Sequence, residues 1–279
     1  MIEFVKSHGT GNAFVLLGDL EDALALDAGL TRSLCDRHRG LGADGVIRIG
    51  GAREGADVFM DYRNADGSVS EMCGNGVRCV AKWALDRAVV SGDVLRVGTR
   101  AGTKVVEVVE RHLDGRVAQV RVDMGPPLAT GADTVEIGAR SVDVTTVSMG
   151  NPHAVVLVDS VADAPVAEWG RAIGASPMFP DGANVEFITV PHRGLVEGRV
   201  FERGVGETLA SGTGCSAMAV AAHLLGLSDR DVDVNVPGGT LRVAWTPSTV
   251  LVTGPAVEVA SGRLDERWLL DAAALEVMA

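Results

Sequence analysis

The 279-residue chain is predicted to be an α/β protein of the α+β type. Two pseudo-symmetric domains are expected, each a mostly antiparallel sheet wrapped around a central helix, with the active site in the cleft between them. Three observations lead there. Two look-alike loops, Glu71-Met-Cys73-Gly-Asn-Gly-Val-Arg-Cys79 and Glu207-Thr-Leu-Ala-Ser211-Gly-Thr-Gly-Cys215, lie about half a chain apart, and each runs into an apolar, Ala-rich helix. Strand-like alternation surrounds both helices. The spacing repeats as well: Asn64 stands nine residues before Cys73 and Glu202 nine before Ser211, as a duplication would leave it.

Residues 2–5 and 13–17 read as short strands flanking the turn-rich Ser7-His-Gly-Thr-Gly-Asn12, where His8 is placed to brace the Asn12 loop. A helix is expected near 23–39, then the loop Gly40-Leu-Gly-Ala-Asp44-Gly45 and strands at about 45–49 and 57–63. Asn64-Ala-Asp66-Gly67 is a tight-turn sequence. Residues 73–90 place Val77, Val80, Ala81, Ala84 and Leu85 at helical spacing, and 94–97, 104–110 and 117–124 alternate as antiparallel strands. Gly125-Pro-Pro127 opens the second half. The pattern recurs there: a Gly150-Asn151-Pro-His153 turn, a strand at 154–159, a helix near 166–173, strands at 184–188 and 198–201, and a helix at 214–225. Strands at 232–236, 240–245 and 249–254 follow, and a tail helix is expected from 265 to 278. The domains are expected at 1–118 plus 262–279, carrying Cys73, and at 119–261, carrying Ser211.

Composition narrows the chemistry. The formal net charge is −12 and no run of Lys or Arg occurs, so a phosphate-backbone footprint is absent and nucleic acid is not an expected partner. The amino terminus lacks a signal-peptide layout, and the longest near-apolar stretch, 217–227, is far short of a membrane span. The expectation is a cytoplasmic protein with no membrane partner. The four cysteines show neither a CxxC pair nor zinc spacing, which predicts free thiols and no metal. Only three lysines exist, none in a loop suited to pyridoxal phosphate, and neither a dinucleotide fingerprint nor a Walker loop occurs. Chemistry without a cofactor is expected, on a small molecule. A Gly-rich turn at a helix start leaves backbone N–H groups and the positive end of the dipole facing an anion, and a thiol there ionises more easily. A homodimer is the default assembly.

In this order and spacing, His8-Gly-Thr-Gly-Asn12-Ala-Phe14, Asn64-Ala-Asp-Gly-Ser, Met72-Cys-Gly-Asn-Gly-Val-Arg-Cys79, Gly150-Asn-Pro-His153, Gly182-Ala-Asn184-Val-Glu-Phe187 and Glu202-Arg-Gly-Val-Gly-Glu-Thr208 resemble diaminopimelate epimerase. The likeness extends to about Ser261. It implies a pyridoxal-independent isomerase that interconverts LL- and meso-diaminopimelate on the lysine and cell-wall precursor route. One thiolate would remove the α-proton while a thiol on the opposite face returns one. By the resemblance, Cys73 is one catalytic cysteine, Gly74 and Asn75 make contacts beside it, and Gly212 and Thr213 make the mirror contacts. Asn12, Asn64, Asn151 and Asn184 match substrate-binding asparagines, Glu202 and Arg203 hold the amino acid's charged groups, and His153 tunes activity. Gly45 stands where many relatives carry glutamine.

One departure matters most. The second catalytic cysteine belongs in Glu-Thr-x-Ala-Cys-Gly-[Ser/Thr]-Gly, and here that position is Ser211. An alcohol is a much weaker acid than a thiol, and each pKa unit of mismatch costs about 1.4 kcal/mol of proton-transfer driving force. The serine is an inactivating substitution, or works with help from a neighbour such as Glu207, or is replaced in function by Cys215 one turn deeper. Rival readings on the same fold are a racemase or dehydratase of another amino acid and a catalytically impaired amino-acid-binding variant.

Overall fold

A computed structural model describes residues 2–270, which form two compact units: the chain up to Val122 together with the chain from Pro255 onward, and Asp123–Gly254. In the first unit the elements are β1 (Glu3–Gly9), β2 (Asn12–Asp19), α1 (Ala28–Cys35), β3 (Gly45–Gly50), β4 (Val58–Asn64), β5 (Val69–Ser70), α2 (Gly74–Asp86), β6 (Val94–Thr99), β7 (Gly102–Arg111) and β8 (Val117–Asp123). The strands run in the order β1-β2-β3-β4-β6-β7-β8, with β5 beside β4. All pairs are antiparallel except β2 with β3 and β4 with β6. Those two parallel pairs are the ones bridged by the helices, since a parallel return needs a long crossover.

The second unit holds β9 (Leu128–Ile137), β10 (Arg140–Ser148), β11 (Pro152–Leu157), α3 (Val166–Gly174), β12 (Asn184–His192), β13 (Leu195–Glu202), β14 (Gly206–Thr208), α4 (Gly212–Leu224), β15 (Asp231–Val236), β16 (Gly239–Trp245) and β17 (Val250–Pro255). Its order is β9-β10-β11-β12-β13-β15-β16-β17, with β14 beside β13. Again the parallel pairs are the two that enclose helices, β11 with β12 and β13 with β15. The final strand, β18 (Val257–Arg263), returns to the first unit as the antiparallel partner of β1. It takes there the place that β9 has beside β10. This pairing moves residues 255–261, expected with the second half, into the first unit.

In each unit the second helix is the most deeply buried element. Nearly every residue of α4 is enclosed, and its sequence GTGCSAMAVAAHL is apolar or small all round, as a helix surrounded by protein requires. α2 carries two cations, and both are satisfied inside. Lys82 Nζ donates to Asp86 Oδ2 at 2.8 Å and to the Val117 carbonyl at 2.5 Å, while Val117 N–H donates to Asp86 Oδ1 at 2.8 Å. The end of α2 is thereby pinned to β8.

Two helices are shorter than expected, for visible reasons. Asp19 accepts from the Ala23 and Leu24 amides at 2.9 Å each, which holds the chain out of helix until Asp27 caps α1 through the Leu30 amide. α2 stops at Asp86 because Ala88 takes positive φ, 54°. Residues 266–270 are helical, and the remainder of the expected tail helix lies outside the described residues. Among those residues, no helix is long and apolar enough to cross a membrane.

The core of the second unit gathers Val144, Val156, Ile173, Val185 and Phe187 between β10, β11, α3 and β12. Phe187 is fully buried, so Phe187→Ala is expected to lower the unfolding free energy by about 3–5 kcal/mol, measured by denaturant titration.

Candidate functional site

In the first unit the chain reverses between β1 and β2 through Thr10 and Gly11, with φ of 49° and 80°, as a two-residue hairpin turn demands. Left-handed backbone is costly for a β-branched residue. Thr10 is held there by fully buried Arg78, whose Nη2 donates to the Thr10 hydroxyl at 3.0 Å. The Gly11 amide donates to His8 Nδ1 at 3.3 Å, so His8 braces this turn. The turn delivers Asn12 to the first position of β2.

Asn12 Nδ2 donates to Asp44 Oδ2 at 3.1 Å, and the same oxygen accepts from the Ala13 amide at 2.8 Å. A carboxylate only accepts, so the Asn12 amide has one orientation, with Oδ1 on the α2 side. That oxygen accepts from Cys73 Sγ at 3.7 Å and from Asn75 Nδ2 at 3.3 Å. Asn75 is oriented in turn by Arg78 Nη2, which donates to its Oδ1 at 2.9 Å. Cys73 itself is the extended N-cap residue of α2 and is half-buried. The sequence-predicted residues Cys73, Gly74, Asn75 and Asn12 thus form one cluster. Asn64 ends β4 and bonds to its own turn, Nδ2 donating to Ser68 Oγ at 3.0 Å.

The second unit repeats the plan. Ser211 is the N-cap of α4, and its Oγ accepts from the Gly214 amide at 3.2 Å. Thr213 Oγ1 lies 3.4 Å from Ser211 Oγ. Asn151 Nδ2 reaches Thr213 Oγ1 at 3.5 Å, and Asn151 Oδ1 lies 3.0 Å from His153 Nε2. The other ring nitrogen, Nδ1, meets Glu186 Oε1 at 2.7 Å. His153 and Glu186 are both fully buried. Burial pushes the Glu186 carboxyl up from its ordinary range, against the downward pull of His153.

The remaining candidates sit close by in sequence but bond elsewhere. Asn184 Oδ1 accepts from the Arg203 amide at 3.0 Å and its Nδ2 donates to the Pro152 carbonyl at 3.2 Å, tying β11, β12 and β13 together. The Arg203 guanidinium donates to the Asp181 carbonyl at 2.7 Å. Glu202 Oε1 accepts from the Thr208 hydroxyl at 2.5 Å. Glu207 is occupied by Arg199, 2.6 Å away. Cys215 is buried in the first turn of α4, its amide bonded to the Ser211 carbonyl.

The two clusters are equivalent position by position. Cys73 and Ser211 are the N-caps of two 13-residue helices, Asn64 and Glu202 end β4 and β13, and Gly45 and Asn184 begin β3 and β12. Phe14 pairs with Gly45 as His153 pairs with Asn184, so Asn12 and Asn151 also correspond. Sequence reasoning missed Asp44, Arg78 and Glu186. For the last two a signal existed: a charge inside the apolar run of a helix, and a charge inside the apolar strand 184–188. Among the described residues no group of His, Cys, Asp or Glu gathers as a metal site.

The sequence model of the family described as diaminopimelate epimerase matches residues 4–129 and 145–259. The diaminopimelate epimerase of Acetivibrio thermocellus is 40% identical, covering 95% of this chain and 99% of its own. That of Moorella thermoacetica is 43% identical, covering 94% and 98%. Among solved structures, a probable proline racemase from Agrobacterium radiobacter K84 superposes with a TM-score of 0.73 at 18% identity, over 95% of this chain and 93% of that one, a likeness of fold.

Burial lifts the Cys35 thiol to about 12 and the Cys79 thiol to about 11. At pH 8 an alkylating reagent is therefore expected to label Cys73 first, and Cys73→Ala to abolish the fast phase when labelling is followed by mass spectrometry. A Cβ at Gly45 would lie 2.5 Å from Tyr62 Cε2 and 2.6 Å from the Arg63 carbonyl oxygen. Gly45→Gln is expected to cost about 1–3 kcal/mol, read as a Tm lowered by several degrees.

Proposed function

The chain belongs to the diaminopimelate epimerase family, and from that membership we propose how its own residues carry out the reaction. The enzyme is an isomerase that interconverts LL- and meso-diaminopimelate, a step of lysine biosynthesis. Cys73 acts as one acid–base group at the α-carbon, and Ser211 stands as the other. The observation that carries this assignment is their equivalence: each is the N-cap of the buried central helix of its unit, with an asparagine-anchored network beside it.

An α-hydrogen is a weak acid, so the electron pair left by its removal must be spread into the α-carboxylate and held there. Backbone amides in the first turns of α2 and α4, at Gly74, Asn75, Gly212 and Thr213, serve that carboxylate, and the helix dipoles add to them. Asn12, Asn64, Asn151 and Asn184 offer amides that both donate and accept, which suits a zwitterion. Glu202 and Arg203 hold the charged groups at the substrate's ends. His153 supports the Ser211 side through Asn151. No step needs a cofactor or metal. The substrate is a small amino acid in the cytoplasm, and the working assembly is a homodimer, with neither nucleic acid nor membrane as a partner.

Ser211 makes the two directions unequal. A thiolate removes a proton far more readily than a serine hydroxyl does, so exchange at the hydrogen facing Cys73 outruns inversion. In D2O, followed by NMR, Cys73→Ala is expected to slow exchange by about 10³-fold. Ser211→Cys is expected to raise inversion at least tenfold, since one pKa unit of better matching already corresponds to about 1.4 kcal/mol. Absence of both exchange and inversion in the unmodified enzyme and in Ser211→Cys would sink the assignment.

A further inference from the structure

Equivalence of the two units exposes one difference that packing does not require. In the first unit the two buried positions behind the helix N-terminus are apolar: Phe14, and Ile47 two residues beyond Gly45. In the second unit the same positions are His153, and Glu186 two residues beyond Asn184. All four side chains are essentially fully buried. Even the approach to the helix is shared, since a Cβ at Gly76 would meet Ile47 Cδ1 at 2.8 Å and a Cβ at Gly214 would meet Glu186 Oε1 at 3.0 Å. The fold thus accepts two hydrocarbon side chains where the second unit keeps an acid and a base. That substitution is expensive, because Glu186 Oε2 is buried with no hydrogen-bond partner.

Proton bookkeeping follows from the donors and acceptors. Asn151 Oδ1 is an acceptor, so His153 Nε2, 3.0 Å away, must carry its proton. One further proton lies between Nδ1 and Glu186 Oε1 at 2.7 Å. Whichever end holds it, the pair is neutral in sum and Nε2 remains a donor. With Oδ1 committed to the ring, the amide NH2 of Asn151 faces Thr213 Oγ1. The Thr213 hydroxyl, having accepted there, directs its own proton at Ser211 Oγ 3.4 Å away. Ser211 Oγ then accepts twice, from Thr213 and from the Gly214 amide, and its own proton is left to be donated.

We propose that Glu186 is a positioning residue for Ser211: by holding His153 as an Nε2–H donor it orders the chain His153, Asn151, Thr213 so that every hydrogen bond points toward the Ser211 oxygen. Two donors on that oxygen stabilise the alkoxide that remains when Ser211 gives up its proton. The proposal rests on the epimerase reading above for its activity arm alone.

The test compares Glu186→Met, similar in bulk but unable to hydrogen-bond the ring, with Glu186→Gln, whose NH2 can donate to Nδ1 and keep the same tautomer. Two readouts are taken on folded protein: 15N NMR of histidine-labelled enzyme for the His153 tautomer, and inversion kinetics. Expected are a loss of the Nε2–H signature and a fall of about tenfold in kcat at nearly unchanged KM in Glu186→Met, the size of one hydrogen bond's worth of barrier, with both restored in Glu186→Gln. An unchanged His153 tautomer and unchanged kcat in Glu186→Met would overturn the proposal, as would a Glu186→Gln enzyme that keeps the tautomer and loses inversion. Should the unmodified enzyme invert nothing, the epimerase reading fails, and the 15N spectrum still decides the role of Glu186.

Discussion

Both reactive positions depend on a helix whose first turn presents no side chain to the strand behind it. At Gly76 and Gly214 a Cβ would stand 2.8 Å from Ile47 and 3.0 Å from Glu186, inside van der Waals contact. Removing those side chains lets the first turns of α2 and α4 approach Ile47 on β3 and Glu186 on β12. Of the caps, Cys73 is half-buried and Ser211 buried, with the amides of the first turn beside them. A larger residue at either position would have to displace the end of the Ile47 or the Glu186 side chain.

On this shared backbone the two units solve the same problem by different means. The first orients its asparagines with charges that reach them directly: Asp44 on Asn12 and Arg78 on Asn75. At the position of Arg78 the second unit has Ser216, whose hydroxyl closes back on the Gly212 carbonyl at 2.9 Å and reaches no asparagine. Orientation there comes from the strand side instead, through Glu186 and His153. The two networks therefore differ in the side from which they reach the helix N-terminus, not in which helix position they serve.

Much of the fold was legible because its signals are local. Gly-rich turns leading into apolar runs located α2 and α4, and alternation located β6, β7 and β8. Where boundaries moved, a side chain intervened that periodicity does not register. Asp19 capturing the Ala23 and Leu24 amides delays α1, and Ala88 with positive φ stops α2. The assignment of residues 255–261 turned on β18 crossing back to β1, a pairing between opposite ends of the chain that no window of sequence contains. Within the site, Cys73, Asn12 and Asn75 were readable as a motif, whereas Arg78 and Glu186 were charges in apolar runs, with Thr10 and His153 as partners 68 and 33 residues away.

What the sequence determined by itself is the inventory: two helix starts without bulky side chains, one thiol and one hydroxyl as their caps, and asparagines at matching offsets. These are properties of adjacent residues, set by turn chemistry and the period of each element. Tertiary structure alone decided which acceptor each amide faces and which proton each hydroxyl can spare. A hydrogen bond has a direction only when both partners are in place, and here they come from segments 32 to 63 residues apart.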